Sequence, residues 1–180
     1  MHPRIAELVT YLEQSRASLL ASVEGRTAEE LTRRPEPDAW SALEILDHLS
    51  LVERGIAARL ASSAERARQL GPDPSTDSVL HSLDAFSITT VTRPFRSPAP
   101  LQPRNGLTLS ETVAALRVTR AQLLAAVEAL DGLAIEGIRF PHPMLGEFNL
   151  YQWILFIGQH EERHTKQLRR ALERAAVTPP

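Results

Sequence analysis

The segment GQHEERHTKQL, residues 158–168, contains two histidines four residues apart, His160 and His164, and Glu161 directly follows the first. On a helix, residues at this spacing lie one turn apart with Cβ atoms about 5–6 Å from each other. Two imidazoles can then reach one metal ion at the usual distance of about 2.0–2.1 Å. The same letters spell H-E-x-x-H, the helix motif of zinc metalloproteases. The segment therefore predicts a metal site. The rest of the chain must show whether this site is that of a zinc protease or of another class of protein.

The helical phase of this segment directs its histidine and glutamate side chains toward the protein core. Residues such as Leu150 and Ile157 mark an apolar stripe when each residue is turned by about 100°. His164 and Glu161 fall inside that stripe, and His160 lies at its edge. A histidine pair in this position is either satisfied within the core or bound to a metal, and this helix alone leaves both interpretations open.

A zinc protease needs a third ligand, usually downstream of the motif. The residues after His164 contain no histidine, and their one acidic residue, Glu173, comes too early. The extended motif with Gly and a third His also fails, because Gln167 and Ala171 occupy those two positions. The third ligand must therefore come from upstream, and a zinc metalloprotease is only a minor alternative.

His48 is the upstream candidate. It lies in WSALEILDHLSLVERGI, on the flank of an apolar stripe and one turn from both Ile45 and Val52. Alone it would be interpreted as a core histidine. Together with His160 and His164 it would complete a site of three neutral imidazoles from two helices. No fourth protein ligand is evident, and zinc sites with an open coordination position are catalytic in type.

Four amphipathic helices must position these residues. Apolar side chains recur at three- and four-residue steps, as expected for one buried helix face, in four segments of the chain. The segments are residues 4–24, 41–70, about 110–130 and about 149–174. Two Ser/Thr residues precede a Glu by three positions, the spacing of a capping box that begins a helix. These pairs are Thr27–Glu30 and Ser41–Glu44.

A long proline-rich connection separates the second helix from the third. Residues 71–109 hold six of the thirteen prolines. Within it, DSVLHSLDAFSITTV is either a short helix or irregular, and RPFRSPAPLQPRNG is expected to be an extended loop. IRFPHPMLGEF, before the fourth helix, is also predicted to be a loop. Four helices and one long crossover predict an all-α four-helix bundle, a single domain over residues 1–180, with sites between facing helices.

Composition and charge exclude several classes of function. The formal net charge is −2, which gives no electrostatic footprint for nucleic acid. No window approaches the roughly 18 apolar residues of a membrane span. The chain has no cysteine, so thiolate metal sites and a cysteine nucleophile are excluded. The beginning MHPRIAELVTYLEQ is charged and lacks the apolar stretch of a signal peptide, so we expect a cytoplasmic protein without nucleic-acid or membrane partners.

The order of these parts resembles the DinB-like (YfiT-type) family of metal-dependent hydrolases, which includes bacillithiol and mycothiol transferases. Three stretches carry the resemblance, which spans roughly residues 5–172: WSALEILDHL, FRSPAPLQPRNGLTLSETVAALRVTRAQLL and HPMLGEFNLYQWILFIGQHEERHTKQL. The metal triad of that family, one histidine on the second helix and two on the fourth, carries over to His48, His160 and His164. The resemblance implies an up-down-down-up bundle and a homodimer.

Two hypotheses for function follow from the resemblance and the site. The first is an enzyme whose divalent metal, zinc or nickel first and iron or manganese as alternatives, activates water or a thiol. It would hydrolyse a small molecule or transfer a bacillithiol- or mycothiol-type cofactor to one. The second is a non-catalytic, stress-responsive metal-binding dimer. A pocket lined by Arg120, His81 or RPFRSP would favour the first, whereas a fourth protein ligand would favour the second.

The remaining polar candidates each allow two roles. Glu161 on a buried face needs a partner; it is either a general base or one half of a buried ion pair, for example with Arg120. Arg120 itself stands in an apolar stripe, where it could instead hold a substrate carboxylate. His142 resembles a recurrent HP…G loop of the family, and a turn role is favoured over ligation or pocket lining. His81 lies in the crossover, and its spacing assigns it no role.

Overall fold

Six α-helices lie in the part of the chain that the computed structural model describes, residues 1–90 and 97–177, with side chains described to residue 174. They are α1 (Pro3–Ala21), α2 (Ala28–Thr32), α3 (Ala42–Ser62), α4 (Ala64–Leu70), α5 (Leu109–Glu128) and α6 (Leu150–Val177). The four long helices are the four that the apolar periodicity predicts. Within the same residues, no helix combines the length and the apolar character needed to cross a bilayer.

Capping boxes begin three of these helices. In each, the hydroxyl of the first residue accepts a hydrogen bond from a backbone N–H three residues later, and the glutamate there accepts from the first residue's N–H. The pairs are Thr27–Glu30, Ser41–Glu44 and Thr108–Glu111. The first two confirm the prediction, and the third begins α5 close to its predicted start.

The predicted helix over residues 41–70 is interrupted at Ser63. The Ser63 hydroxyl donates to the carbonyl of Arg59 at 2.9 Å, and its backbone N–H donates to the carbonyl of Leu60 at 3.0 Å. These bonds compete with the regular helix ladder. The chain therefore continues as the separate short helix α4, which the periodicity alone does not reveal.

The stretch IRFPHPMLGEF is not a loop, so that prediction was wrong. Strands β1 (Arg139–His142) and β2 (Gly146–Asn149) pair antiparallel, with Phe140 opposite Phe148. Gly146 supplies the positive φ of 86° that the turn requires. The prolines do not prevent pairing, because both strands of a two-stranded sheet have one free edge.

The crossover after α4 is irregular wherever it is described. Short 3-10 turns form at Asp84–Phe86 and Ala99–Leu101, so DSVLHSLDAFSITTV is not a regular α-helix over its described part. Most of the RPFRSP stretch, residues 93–96, lies outside the described residues. The extended-loop prediction can therefore be followed only from residue 97 onward.

Pairs of contacts along the helix interfaces give the relative directions of the long helices. The pairs are Tyr11–Glu162 and Ser18–Arg169 for α1 with α6, Leu12–Arg120 and Arg16–Leu116 for α1 with α5, and His48–His164 and Arg59–Trp153 for α3 with α6. Helix α1 is thus parallel to α6 and antiparallel to α5, and α3 is antiparallel to α6. The order is up-down-down-up, as the resemblance implies.

A layer of buried polar residues divides the bundle core into two apolar clusters. On α1, Leu12 belongs to one cluster and Leu19 to the other, and Ile157 and Leu168 are separated in the same way on α6. Between the clusters lie buried polar side chains from four helices: Ser15, Glu53, Thr119, Arg120, Glu161 and Thr165. This polar layer is where the predicted site residues meet.

Candidate metal centre

Three buried histidines converge beside the polar layer: His48 from α3, and His160 and His164 from α6. One ring nitrogen of each lies within 4.8 Å of those of the other two. The Nε2 atoms of His160 and His164 are 3.1 Å apart. Two ligands about 2.0–2.1 Å from one tetrahedral ion would be separated by about 3.3 Å, so this spacing fits a shared ion. The cluster could hold a metal ion, and it joins the three residues that the sequence predicts.

Hydrogen bonds orient two of the three imidazoles. The Nδ1 of His48 lies 2.7 Å from the backbone carbonyl of Leu101. A carbonyl oxygen can only accept, so Nδ1 carries the proton and Nε2 keeps a free lone pair. The Nδ1 of His164 bonds in the same way to Oε1 of Gln167 at 2.8 Å. Such outer bonds are how proteins fix the tautomer and direction of metal-binding histidines.

Aromatic side chains hold the ring planes in place. Trp40 packs against His48 with ring centroids 4.9 Å apart. Phe156 stacks on His160 at 5.1 Å with an interplanar angle of 27°. His142 lies behind Phe156, 4.9 Å away in an edge-on contact. Aromatic rings therefore pack against two of the three imidazoles, His48 and His160.

Burial keeps the three imidazoles in the neutral form that binds metals. Loss of solvation is the main cause that lowers the pKa of His48 and holds that of His160 well below its ordinary value. The same cause lowers the pKa of His164 to about 3. The nearby positive charge of Arg163 acts in the same direction on all three. At neutral pH the nitrogens therefore offer lone pairs without first losing protons.

Glu161 forms the buried ion pair that the sequence suggests as one of its roles. Its Oε2 accepts hydrogen bonds from Ser15 Oγ at 2.6 Å and from Arg120 Nη2 at 3.0 Å. Its Oε1 accepts from Arg16 Nε at 2.6 Å. Three of the roughly four acceptor positions of this carboxylate are thus occupied. The geometry favours a charge-balancing role, and proton transfer by Glu161 stays a prediction.

A second carboxylate, Glu53 on α3, completes a charge network with Arg16, Arg120 and Glu161. Glu53 accepts from Arg16 Nη2 at 2.9 Å, from Arg120 Nε at 2.6 Å and from Thr119 Oγ1 at 2.6 Å. Two negative and two positive charges balance, which offsets part of the cost of burying them. Neither Arg16 nor Glu53 was predicted from the sequence, although Arg16 lies one turn after Leu12 in the apolar stripe of α1.

A small cavity joins this charge network to the histidines. It is lined by His160 and by Arg16, Glu53 and Glu161 of the network, and its remaining walls are apolar side chains of α3 and α6. The cavity places a carboxylate and a metal-site imidazole around one space. A water there would have enough polar partners to be held.

The crossover is tied to α3 next to the site. Asp47, directly before His48, is 1% exposed. It accepts hydrogen bonds from the backbone N–H of Arg104 at 2.7 Å and from Nη2 of its guanidinium at 2.6 Å. This anchor lies three residues after Leu101, whose carbonyl orients His48. The crossover thus serves as part of the site, which its length alone does not show.

The other residues named as pocket candidates are placed elsewhere. Arg120 is held within the charge network. His142 accepts the backbone N–H groups of Met144 and Leu145 at 3.2 Å each, which is the favoured turn role. The side chain of His81 is 87% exposed and pairs with Asp84 at 3.0 Å. The structure does not bring His81 to the histidine cluster.

Comparisons with known proteins identify the family of this chain. A family model described as the DinB superfamily matches residues 11–168. The chain belongs to the DinB superfamily. This DinB protein is 28% identical over 167 residues to the uncharacterized protein YuaE of Bacillus subtilis (strain 168), a match that covers 92% of this chain and 98% of YuaE.

A solved structure supports the same architecture for this DinB protein. The crystal structure of TT2238, a four-helix bundle protein, matches with a TM-score of 0.60 and 27% identity. The match covers 92% of this chain and 98% of TT2238. The predicted four-helix bundle is therefore confirmed, with the β-hairpin as an addition.

Proposed function

We propose that this protein is a metal-dependent enzyme that acts on a small molecule at the three-histidine site, by hydrolysis or by transfer of a thiol cofactor. The observation that carries the proposal is the convergence of three buried imidazoles from two helices. Within the described residues, this cluster includes no fourth histidine or carboxylate. A site that keeps a coordination position open is typical of catalysis rather than of a structural metal.

A divalent ion at this site would supply Lewis-acid activation of a water or thiol. Zinc and nickel are the first candidates, with iron and manganese as alternatives, because imidazole ligands suit several of these metals. The chain itself contributes the orientation of the ligands, through the Leu101 carbonyl on His48 and the Gln167 amide on His164. The apolar clusters on either side of the polar layer limit access of bulk water.

Glu161 is the carboxylate that we propose for proton transfer. It borders the cavity that also reaches His160. A proton could pass to it through one water, which is within the range of general-base catalysis. Its ion pairs with Arg16 and Arg120 oppose this role, because they stabilise the negatively charged carboxylate against taking up a proton.

One observation favours a second candidate, a metal-binding bundle without turnover. The two carboxylates that line the cavity with His160, Glu161 and Glu53, are each paired with two arginines. Carboxylates that are already paired in this way need no substrate to balance their charge. The zinc-protease alternative is not retained, because the third histidine comes from upstream on a second helix and the chain belongs to the DinB superfamily.

Elemental analysis of protein purified without a metal-affinity tag tests the site. We expect close to one equivalent of a divalent metal in the wild type and loss of that metal in His164→Ala. His81→Ala is the matched control, because it removes an exposed histidine outside the cluster. Equal metal content in all three proteins would refute the site.

Turnover by metal-loaded protein then separates the two candidates. Thiol cofactors would be screened against small electrophiles, beside simple ester and amide substrates. Activity that depends on metal and is lost in His164→Ala supports the enzyme. Metal-loaded protein that converts none of these substrates favours the non-catalytic bundle.

A further inference from the structure

Arg163 differs from the other arginines that are not exposed. The described arginines with buried or half-buried side chains are Arg4, Arg16, Arg33, Arg120 and Arg163. The first four each have a carboxylate oxygen within 4.0 Å. Among the described residues, none forms an ion pair or hydrogen bond with Arg163. The stretches outside the description, 91–96 and 175–180, contain no Asp or Glu in the sequence.

The helix around Arg163 offers it no negative charge. Its neighbours three and four positions away, which share its face of α6, are Gln159, His160, Lys166 and Gln167. The preceding Glu162 is turned to another side, where it bonds to Lys166 at 2.8 Å and to Tyr11 at 2.9 Å. The lack of a partner is therefore built into the sequence of α6.

Arg163 stands at the edge of the three-histidine site. It lies one turn after His160, so these two side chains share a face of α6, and it directly precedes His164 in the chain. Its charge contributes to the lowered pKa of all three histidines, which places it within Coulombic range of each. A positive charge this close to the histidines would attract an anionic ligand.

A second unsatisfied group lies on the same face. Gln159 is only 9% exposed, yet its Oε1 has no hydrogen-bond partner among the described residues. It precedes Arg163 by four residues, one helical turn. Leaving a buried acceptor unpaired costs about 1–3 kcal/mol, so this oxygen is available to a hydrogen-bond donor such as a ligand N–H, O–H or S–H group. The two residues together form a polar margin beside the histidines.

We propose that Arg163 binds a carboxylate of the substrate and thereby selects anionic small molecules for this site. The inference rests on the proposed function, because the substrate is expected where the three histidines converge. A guanidinium pairs with a carboxylate through two parallel N–H···O bonds, which fixes the orientation of the ligand as well as its charge. The reacting group of the substrate would then face the histidines, a few bonds from the acid.

A matched pair of thiols tests the selection. The probes are 3-mercaptopropionate, which carries a carboxylate, and 2-mercaptoethanol, which does not. Their dissociation constants would be measured on the cobalt-loaded protein from its visible absorption. We expect the wild type to prefer 3-mercaptopropionate and Arg163→Gln to lose about 10- to 100-fold in affinity for it, as expected for a charge-assisted pair. Affinity for 2-mercaptoethanol should be unchanged.

Two variants control this comparison. Arg170→Gln removes an exposed arginine from the same helix and changes the net charge equally, so it should leave the preference intact. Arg163→Lys keeps the charge but loses the planar fork, so it should retain part of the preference. A preference that survives in Arg163→Gln, or that disappears equally in Arg170→Gln, would overturn the proposal.

A second readout separates this inference from the proposed function. The Nε–H resonance of Arg163, assigned by its absence in Arg163→Gln, is followed by NMR while metal-free protein is titrated with the same two thiols. We expect it to move with 3-mercaptopropionate and to stay in place with 2-mercaptoethanol. A resonance that does not move would overturn the proposed role of Arg163. Absence of metal in the elemental analysis would instead overturn the proposed function, and the NMR result would still decide whether Arg163 binds a carboxylate.

Discussion

His48 and His164 come from antiparallel helices more than a hundred residues apart in sequence, yet their ring centroids lie 4.9 Å apart. The first ring donates its Nδ1–H to the Leu101 carbonyl and the second donates its Nδ1–H to Oε1 of Gln167, so each Nε2 keeps a lone pair that can bind a metal. The site thus depends on the packing of α3 against α6 as much as on the histidine pair of α6.

The first prediction concerns the dependence of the metal site on both helices, α3 and α6. His48→Ala should weaken metal binding as severely as His160→Ala, by more than the 10- to 100-fold typical of outer-sphere changes, because each removes one of three ligands. Competition with a metal-chelating dye would measure the affinity, with His81→Ala as the control. Full stoichiometry and affinity in His48→Ala would show that the two helices do not share an ion.

The second prediction concerns removal of the metal. The two apolar clusters hold the bundle together without an ion, so the metal-free protein should stay folded and become less stable to heat. Binding at a hundredfold excess over Kd stabilises a folded state by about 2.7 kcal/mol. For a chain of this size that corresponds to roughly 5–10 °C in Tm.

Circular dichroism before and after chelation measures this effect. A helical spectrum with a cooperative transition at lower temperature is expected. A chain that loses its helical spectrum on chelation would contradict the prediction and would make the ion a structural one, as in zinc-dependent small domains.

The third prediction concerns Glu161. Glu161→Gln removes a charge that balances Arg16 and Arg120, so it should lower the free energy of unfolding by up to about 3–5 kcal/mol. Metal content of the folded fraction should remain. Glu162→Gln, which breaks a half-exposed pair with Lys166, should cost less than about 1 kcal/mol.

Turnover of Glu161→Gln decides between its two roles. If Glu161 is a general base, the rate per metal-loaded molecule should fall by roughly 10²–10⁴. If its role is structural, activity should follow the folded, metal-loaded fraction. A wild-type rate per folded molecule would end the general-base hypothesis without affecting the site.

The fourth prediction concerns pH. A histidine whose pKa is lowered by folding binds its proton first in the unfolded chain, so the metal-free protein keeps its full stability above about pH 6.5 and loses it as the pH falls. With a folded-state pKa of about 3, His164 stays neutral at pH 5.5. The loss from this residue between pH 7.5 and 5.5 should be about 1.4 kcal/mol.

Urea unfolding of metal-free protein at pH 7.5 and 5.5 tests whether the free energy of unfolding falls as the pH falls. The wild type should lose more stability than His164→Gln, which has no imidazole to protonate. His81→Gln should behave as the wild type does. Identical pH dependence in wild type and His164→Gln would show that burial does not hold this histidine neutral.

Local sequence determined the helices, their capping boxes and the candidate ligands. The hydroxyl of Ser41 and the carboxylate of Glu44 interact within one turn, so their spacing is sufficient to place the start of α3. His48 and His160 were recognisable because each breaks an apolar stripe at its flank. These features involve neighbours in the chain, which the sequence orders directly.

Tertiary structure decided which faces meet and what each polar residue does there. Helical phase places Arg16 and Glu161 on inward faces, but only the parallel packing of α1 on α6 joins them at 2.6 Å. The hairpin that pairs Phe140 with Phe148 likewise depends on contacts across a turn. The two prolines in this stretch favour a loop when only the sequence is considered. The path of the crossover alone brings the Leu101 carbonyl to His48. Periodicity fixes the direction of a side chain from its own helix, whereas its partner is set by the free energy of packing distant segments together.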